Sequence, residues 1–521
     1  MTRSWWRGAV FYEIYVRSFA DSNDDGVGDL PGITSKLEYV KSLGVDAIWL
    51  TPFYPSPQKD HGYDVADYLD VNPEYGTLED FDRLVQRAHE LRLKVLVDVV
   101  PNHTSDQHAW FKAALSSPDH PFRARYHFVE AKPDGSPPNN WGSAFGGPAW
   151  TKDRTGGQWY LHLFAPEQPD LNWWNGEVPA EFERIVKFWL DRGADGFRID
   201  VASALFKRQD LADRPLIHDR VTGTMRPDPA FSYLDQPQLH DVYRRWREIA
   251  DGYEPARVLV GEMFEPRRQS NFVVHGQLDM AFAMMLARWE AAAWRRAIDV
   301  ARHALRGPGI EPSWTQSNHD VVRQVTRLGG GDIGRARARA ALLLLLGLPG
   351  QVFLYQGEEL GLEEVDLPDD QRQDPFFFHS GGRQAGRDGC RVPLPWHRGQ
   401  PNAGFSTSPP WLPMPAGWDR LAVDAQAASP GSMLQHYQRA LELRKRLALR
   451  PPDRLAWLRA PEAVLLYRRG PLRVATNFGR RAVSLEIAAE LEIASSPAVR
   501  LRQGRLSLPA NSAAWLVAGP S

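Results

Sequence analysis

Four acidic residues stand in short distinctive strings that are far apart in the chain. Asp98 opens DVVPNH at 98–103, Asp200 ends GFRID, Glu262 lies in LVGEM, and Asp320 ends SNHD. Cleavage of a sugar–sugar bond requires two carboxylic acids in different states, because one attacks or stabilises the sugar while the other donates a proton. The strings therefore indicate carboxylate chemistry on a glycosidic bond.

The neighbours of two of these acids suggest different roles. Arg198 and Asp200 are two residues apart on an expected strand, so they share a face, and the guanidinium should favour the ionised, nucleophilic form of Asp200. Glu262 follows the apolar LVG at a strand end, where partial desolvation would raise its pKa and keep it protonated as an acid. A helix cap or a surface charge explains any one acid alone, whereas the four strings together favour one site.

The elements that must carry these acids alternate between short apolar strands and amphipathic helices. Such alternation predicts βα units around a parallel sheet. Eight units fit a closed (β/α)8 TIM barrel, and the acids then fall at the C-terminal strand ends where a barrel places its chemistry. An open doubly wound sheet is the rival, but no glycine-rich phosphate loop follows the first strand. The expected strands are VFYEIYV, AIWLTP, VLVDVV, GFRIDV, RVLVGEM, a weaker MAFAM, PSWTQSN and QVFLYQG.

Two irregular segments and a change of pattern divide the chain. We predict a catalytic barrel over 1–103 and 175–450 and an inserted lobe after strand 3 over 104–174, where Pro, Gly, Asn and Trp are frequent. A further irregular insertion covers about 361–430. Both insertions follow strands and should form walls of the active site. From 451 to 521 short β-like runs predict a C-terminal all-β domain.

Composition excludes several other classes of protein. A formal net charge of -2 gives no basic field for nucleic acid. The apolar run ALLLLLGLPGQVFLY is interrupted by Gly347, Pro349 and Gly350, so it predicts a buried helix end and a buried strand and no membrane span. The single cysteine, Cys390, excludes an internal disulfide, and no signal peptide is recognisable, which predicts a cytoplasmic protein.

The four strings resemble, in order, the four signature regions of the α-amylase superfamily, family 13 of the glycoside hydrolases. The resemblance implies that Asp200 is the nucleophile and Glu262 the general acid/base. It implies that Asp320 is a third carboxylate, which binds sugar hydroxyls and stabilises the transition state. The residues that match sugar contacts around the reacting glucose are His103, Arg198 and His319.

Further strings are similar to the oligo-1,6-glucosidase and α-glucosidase branch of that family. QPDLNW at 168–173 resembles a region that differs in endo-acting amylases. KDHGYDVADY supplies Asp60 and Tyr63, and GRDGCR supplies Arg387. In similar enzymes this aspartate and arginine close a pocket around the terminal glucose, although a purely structural ion pair stays open as an alternative. The residues that match pocket-lining positions are Phe145, Phe164 and Gln168.

The activity that the resemblance implies is exo-acting hydrolysis of short α-glucosides with retention of configuration. A retaining mechanism needs the carboxyl groups of Asp200 and Glu262 roughly 5 to 5.5 Å apart, whereas inversion needs about 9 Å. Val201 resembles members that accept α-1,6 linkages, but ASALFK after it departs from that branch. Dual α-1,4 and α-1,6 action therefore stays open, as does simple packing of the Val201 side chain.

Other functions are weighed against this one. A transglucosylase or isomerase would use the same carboxylates, so it is the main alternative. A barrel-shaped transporter subunit would need a membrane helix and usually lacks the acids. A sugar-binding module has no use for a nucleophile paired with an acid. We expect a small-molecule sugar substrate and no nucleic-acid or membrane partner; the oligomeric state is open.

The loop DSNDDGVGD predicts a structural calcium site. Oxygen-bearing side chains recur with Gly26 at the turn, as in calcium loops, but Gly32 stands where an EF-hand has its bidentate glutamate. In similar glucosidases this loop holds Ca²⁺, and an acidic turn without metal is the alternative. No organic cofactor is indicated. The implied ligands are Asp21, Asn23, Asp25, Asp29 and the carbonyl oxygen of Val27.

Overall fold

Eight parallel strands form a closed barrel in the computed structural model, which describes residues 4–218, 225–227, 234, 236–263, 266–447, 449 and 454–517. Each barrel strand pairs with the strands before and after it in the barrel order, and the eighth closes onto the first. This confirms the predicted TIM barrel and excludes the open sheet. Barrel strands one to eight are Val10–Ile14, Ala47–Leu50, Lys94–Val99, Gly196–Ile199, Val258–Gly261, Met280–Met284, Ser313–Thr315 and Gln351–Tyr355.

The interior of the barrel is a packed apolar core. Phe11 of the first strand stacks on Phe353 of the eighth with ring centroids 4.4 Å apart. Phe282, from the weakly predicted sixth strand, meets Phe353 edge to face and lies against Trp49. Because both faces of a barrel strand are covered, these strands are continuous apolar runs. The core supports the residues at the C-terminal rim.

The helices outside the barrel follow the predicted spacing of apolar residues. The helix Leu78–Glu90 begins with a capping box between Thr77 and Asp80, and Phe81 and Leu84 lie on its buried face. The helices are Leu30–Ser35, Leu37–Leu43, Leu78–Glu90, Ala109–Ser116, Glu177–Asp191, Leu239–Asp251, Pro266–Phe272, Ala291–Ala304, Gln324–Arg327, Gly331–Gly347, Pro375–His379, Asp388–Arg391, Val423–Ala427 and Met433–Arg446. Short 3-10 turns are Val16–Ser18, Pro121–Arg125, Asp369–Gln371, Pro401–Gly404 and Trp418–Leu421.

The apolar run near 340 is a buried helix end followed by a buried strand, as predicted. Helix Gly331–Gly347 ends before the eighth barrel strand, Gln351–Tyr355. Within the described ranges no helix is both long and apolar enough to cross a membrane. The cytoplasmic location stays a prediction.

A small sheet lies between the third and fourth barrel strands. Its strands are Phe128–Val129, Trp150–Lys152 and Trp159–Leu161, and Trp141 and Trp150 belong to its core. An isolated bridge joins His103, beyond the third strand, to Asp170 of the same insertion. The inserted segment is thereby fixed to the barrel rim, while the predicted bounds at 104 and 174 stay predictions. A further two-stranded sheet, Leu216–His218 with Met225–Pro227, follows the fourth strand.

Antiparallel strands after the last helix confirm the predicted all-β C-terminal part. Its five-stranded sheet packs on helix Gly331–Gly347. The Leu343 and Leu344 carbonyl oxygens of this helix accept hydrogen bonds from Trp515 Nε1 at 2.7 Å and from Tyr467 OH at 2.6 Å. The predicted start at 451 lies outside the described residues. One sheet contains Leu455–Trp457, Val464–Arg469, Leu472–Asn477, Ser512–Val517 and Glu490–Ala494, and the other Val483–Glu486, Arg505–Leu508 and Arg500–Arg502.

The fourth and fifth strands approach so closely that Gly196 cannot carry a side chain. A Cβ there would lie 2.1 Å from the Val258 carbonyl oxygen, and φ is +157°. We therefore expect Gly196→Ala to lower the free energy of unfolding by at least about 3 kcal/mol in urea denaturation. Gly176→Ala is the matched control, because open space surrounds Gly176. A Gly196→Ala variant as stable as this control would contradict the close packing.

Candidate active site

A cavity of about 580 Å³ opens at the C-terminal ends of the barrel strands. Gln168 and Arg198, which are also predicted to contact the sugar, lie directly behind the cavity wall, and each bonds to a residue that lines the cavity. The structure thus brings every predicted catalytic and sugar-contact residue to one place. The predicted residues that line the cavity are Asp60, Tyr63, His103, Phe145, Phe164, Asp200, Glu262, His319, Asp320 and Arg387.

The hydrogen-bond ladder of the barrel fixes the backbone of two of the acids. Asp200 follows the fourth strand directly, and its N–H donates to the Val99 carbonyl oxygen of the third strand at 2.9 Å. Glu262 follows the fifth strand, and its N–H donates to Ile199 of the fourth at 2.9 Å. Each acid therefore begins its loop from a rigid position, which suits residues that must hold a fixed geometry.

Arg198 joins three carboxylates at the centre of the site. Its Nη1 lies 2.8 Å from Asp200 Oδ1 and 3.0 Å from both oxygens of Asp98, and its Nη2 lies 2.8 Å from Glu262 Oε1. The guanidinium is buried, and a planar fork can satisfy several carboxylates at once. Asp200 and Glu262 are thereby held on neighbouring nitrogens of one group, while the 5 to 5.5 Å separation expected for retention stays a prediction.

Burial of Asp200 corrects the expectation that Arg198 alone would keep it ionised. Burial raises the pKa of Asp200 well above its usual value; Arg198 opposes this shift, and the nearby Glu262 and Asp98 add to it. Burial likewise raises the pKa of Asp98 to about 7. Both shifts favour the protonated forms of these two acids.

Both oxygens of Glu262 have polar partners in the free pocket. Oε1 faces Arg198, and Oε2 accepts from the Val201 N–H at 2.9 Å. Val201 has φ of +44°, which is rare for a β-branched residue, and this turn directs its amide at Glu262. Backbone strain is thus located between the predicted nucleophile and the predicted acid.

His103 and Tyr63 form a buried side of the pocket. The Tyr63 hydroxyl donates to Asp98 Oδ2 at 3.0 Å, and the Tyr63 ring stacks on His319 with centroids 5.2 Å apart. His103 Nε2 lies 3.0 Å from the Tyr63 carbonyl oxygen. Burial lowers the pKa of His103 to about 4, so its imidazole is neutral at neutral pH. Gln168 Nε2 donates to Asp60 at 3.0 Å.

Asp320 lies among cationic and imidazole groups. Its Oδ1 accepts from Arg387 Nη1 at 3.1 Å and Arg391 Nη2 at 3.0 Å, and its Oδ2 is 3.4 Å from His319 Nε2. Burial would raise the pKa of Asp320, but His319 and the two arginines outweigh burial and hold that pKa below its usual range. Asp320 is therefore ionised, as a group that stabilises positive charge must be.

Arg387 and Asp60 form the predicted ion pair across the cavity. Arg387 Nη2 lies 2.6 Å from Asp60 Oδ1, and the guanidinium lies over the Phe145 ring at 5.1 Å. Phe145 meets Phe164 edge to face with centroids 5.6 Å apart. The pair joins a loop after the second strand to the insertion after the eighth, and aromatic rings cover one side of it.

Sequence reasoning misses three residues that support this site. Glu13 lies on the buried first strand and accepts from His319, whose Nδ1 is 2.6 Å from its Oε1; a charge inside an apolar strand was the available signal. Trp49 donates to Asp98 at 3.2 Å but is indistinguishable in sequence from core. Asp374 bonds Arg387 from an irregular segment, where Asp-Pro indicates only a helix start.

The predicted calcium loop is bonded mainly to itself. Asp21 accepts from the Gly26 N–H and Asp25 from the Val27 N–H, both at 2.8 Å, and Asp29 caps helix Leu30–Ser35. Across the described chain, no three histidine, cysteine or acidic side chains are grouped to hold a metal ion. The oxygen donors are those that calcium prefers, and binding of Ca²⁺ by this loop stays a prediction.

Comparison with known proteins decides the family. The α-amylase catalytic domain model matches residues 13–450. The chain belongs to the α-amylase family. It is 42% identical over 459 residues to a probable α-glucosidase of Rhizobium meliloti, covering 85% of this chain and 83% of the relative. Identity to an oligo-1,6-glucosidase of Heyndrickxia coagulans is 37% over 478 residues, covering 84% and 85%.

A solved structure agrees over nearly the full length. The crystal structure of an α-glucosyl transfer enzyme superposes with a TM-score of 0.92 and 38% identity, covering 99% of each chain. Family and relatives together show that this protein is a glycoside hydrolase of the α-glucosidase branch, with a sugar as its substrate.

Removal of the buried acid at position 200 should stabilise the fold. Because the folded state raises the pKa of Asp200, it binds more protons than the unfolded chain, and stability is lost as pH rises from about 4. Asp200→Asn does not titrate, so we expect its melting temperature at pH 8 to exceed wild type by about 2 °C or more. The difference in melting temperature between Asp200→Asn and wild type should become smaller as the pH is lowered toward 4, because Asp200 is then protonated in both the folded and the unfolded wild-type chain.

Asp210→Asn is the matched control, because Asp210 is exposed. It should not melt above wild type at pH 8. An Asp200→Asn variant that melts at or below wild type at pH 8 would contradict the cost assigned to burying this carboxylate.

Proposed function

We propose that this enzyme is an exo-acting, retaining α-glucosidase that removes terminal α-1,4- or α-1,6-linked glucose from the non-reducing end of short oligosaccharides. The observation that carries the proposal is the bridge of Arg198 to Asp200 and Glu262. A nucleophile and an acid held on one guanidinium can reach the same anomeric carbon and glycosidic oxygen from opposite sides.

The reaction proceeds in two displacements. Glu262 gives a proton to the glycosidic oxygen while Asp200 attacks the anomeric carbon, which forms a covalent β-glucosyl ester and releases the remainder of the sugar. Glu262 then takes a proton from water, which attacks the same carbon and releases α-glucose. The ionised Asp320 stabilises the positive charge that develops on the sugar ring in both transition states.

The proton for the first step comes from the carboxylate cluster. Glu262 forms an ion pair with Arg198 through Oε1 and accepts a hydrogen bond from the Val201 N–H through Oε2. Burial favours protons on Asp200 and Asp98. We propose that an arriving glycosidic oxygen, which is an acceptor, draws one proton to Glu262 and leaves Asp200 ionised.

The ion pair of Asp60 and Arg387 favours action on terminal residues only. It offers acceptors and donors together to the hydroxyls of one glucose, and the rings of Phe145 and Phe164 cover the apolar face of that sugar. A chain that continued beyond this glucose would have to break the pair. The substrate is therefore a small neutral α-glucoside.

Transfer of glucose to a second sugar is the alternative. Its first displacement is the same, and a sugar hydroxyl replaces water in the second. The similarity of the whole fold to an α-glucosyl transfer enzyme favours this candidate specifically. Val201, whose side chain lines the cavity, is the residue through which we propose acceptance of α-1,6 linkages in either reaction.

Product analysis by NMR tests the two reactions against each other. Incubation with maltose, isomaltose, trehalose and sucrose in separate samples should release α-glucose first from maltose and isomaltose. Formation of new disaccharides with little free glucose would show that the enzyme transfers glucose or isomerises the substrate and does not hydrolyse it. The glucose from the reducing end is a mixture of anomers, so retention is read from the anomer released in excess of that mixture. An initial excess of β-glucose would overturn the retaining mechanism, and isomaltose left intact would remove the role proposed for Val201.

Asp200→Asn serves as the inactive control in the same assay, and Asp210→Asn as the matched exposed substitution. We expect less than about a few per cent of the wild-type rate from the first and an unchanged rate from the second, because a nucleophile cannot be replaced by a neutral amide. Higher residual activity in a folded Asp200→Asn protein would reject Asp200 as the nucleophile.

We further propose that Ca²⁺ binds the loop Asp21, Asn23, Asp25, Val27 and Asp29 and stabilises the fold without entering the chemistry. The loop precedes helix Leu30–Ser35, whose N-terminus Asp29 already caps. Treatment with a chelator should lower the melting temperature by a few degrees, and added Ca²⁺ should restore it. An unchanged melting temperature would leave the loop as an acidic turn without metal.

A further inference from the structure

Asp374 is a buried carboxylate in the insertion that follows the eighth barrel strand. Its oxygens accept from Arg387 Nε and Nη2, each at 2.9 Å, and also from the Arg387 backbone N–H. It caps helix Pro375–His379 by accepting from the Phe376 N–H at 3.0 Å. One side chain thus holds both the predicted pocket arginine and the start of the segment that carries Phe376, another lining residue.

A reciprocal set of bonds fixes the two segments on each other. Asp388, next to Arg387, accepts from the backbone N–H groups of Gln373 and Asp374 at 2.8 and 3.0 Å. Gly386 has φ of +75°, and a Cβ there would lie 2.8 Å from the Asp374 Cβ. Asp374 therefore lies in a close-packed contact that places Arg387 without reaching the cavity itself.

The remaining nitrogen contacts of Arg387 point at substrate-binding carboxylates. Nη1 meets Asp320 and Nη2 meets Asp60, while Arg391 also holds Asp320. Burial would raise the pKa of Asp374, but the Arg387 guanidinium outweighs it and holds that pKa below its usual range. An ionised Asp374 therefore shares the charge of Arg387 from outside the pocket.

We infer that Asp374 is a positioning residue for sugar binding: it fixes Arg387 by a two-nitrogen contact and partly neutralises it, so that Asp60 and Asp320 keep free lone pairs for sugar hydroxyls. Without Asp374, the guanidinium has only pocket carboxylates as ionic partners. It then pairs more tightly with them, and the sugar must compete with it. This inference rests on the proposed α-glucosidase function.

Asp374→Asn tests the inference. Asparagine has nearly the same shape and can still cap the helix through its one remaining oxygen, so the main losses are the charge, the two-nitrogen pairing and the bond from the Arg387 backbone N–H. We expect the KM for maltose and the inhibition constant of glucose each to rise roughly tenfold, with a melting temperature within a few degrees of wild type. Asp374→Ser, which also caps helices, is the second variant if the first does not fold. Asp370→Asn, exposed in the same segment, should change nothing.

A double-mutant cycle separates positioning from a merely structural role. If Asp374 acts through Arg387, its substitution should cost nothing further in an Arg387→Ala background. A full tenfold rise in the glucose inhibition constant that persists without Arg387 would overturn the inference. So would an Asp374→Asn enzyme with unchanged constants.

A crystal structure of the Asp374→Asn variant without substrate provides a test that is independent of turnover. The inference predicts that Arg387 leaves position 374 and moves toward Asp60 and Asp320; an unmoved Arg387 overturns it. If the wild-type enzyme does not act on maltose but Arg387 moves as expected, the proposed function fails while the positioning by Asp374 stands.

Discussion

The buried guanidinium of Arg198 is the group on which the catalytic arrangement depends. It is surrounded by Asp98, Asp200 and Glu262, and the Trp49 ring lies beneath it at 5.2 Å. None of these charges could be buried alone, because desolvation of an unpaired ion costs several kcal/mol. Asp98 lies in the third barrel strand, and Asp200 and Glu262 directly follow the fourth and fifth, so the pairing of these neighbouring strands brings the charges together. A barrel rim that shifted by one residue would turn these side chains away from each other.

Arg387 is a second guanidinium surrounded by carboxylates. We call each arginine with its carboxylates an arginine centre, and the two centres contain different acids. Arg198 holds Asp200 and Glu262, which we propose make and break bonds, while Arg387 holds Asp60 and Asp320, which we propose bind sugar hydroxyls. Carboxylates outnumber the cations around each centre, so the pocket has an excess of negative charge. This excess suits a transition state in which the sugar ring becomes positive, and it costs stability in the empty enzyme. The raised pKa of Asp200 is the measure of that cost.

The features that can be predicted from the sequence are those that depend on regular secondary structure. The eight strands follow from apolar runs between helical repeats, and even the weak sixth strand is recovered because a closed barrel needs it. Asp200 and Glu262 directly follow their strands as expected, Asp320 lies in the loop after the seventh strand, and the roles expected of all three come from the resemblance to the family's signature strings. Prediction from the sequence fails for properties that depend on tertiary contacts. Burial reverses the direction expected for the pKa of Asp200, and no sequence pattern identifies Asp374, which lies in an irregular segment. The left-handed backbone conformation of Val201 could not be predicted either, because β-branched residues rarely adopt a positive φ.

The irregular insertion owes its rigidity to carboxylate–backbone bonds. Asp374 and Asp388 each bond the other's segment, which gives loop residues a precision usually supplied by helices and strands. Arg387, which we propose binds the donor glucose, is therefore held in place although it lies in an irregular segment. Val201, Ser203 and Gln384 line the same cavity, and Val201 is bonded to the Arg198 centre only through its backbone N–H, which donates to Glu262. Under the proposed function, a shift from hydrolysis to glucosyl transfer would need a sugar hydroxyl held where water otherwise stands, and wall residues such as Ser203 and Gln384 could hold it with both arginine centres unchanged.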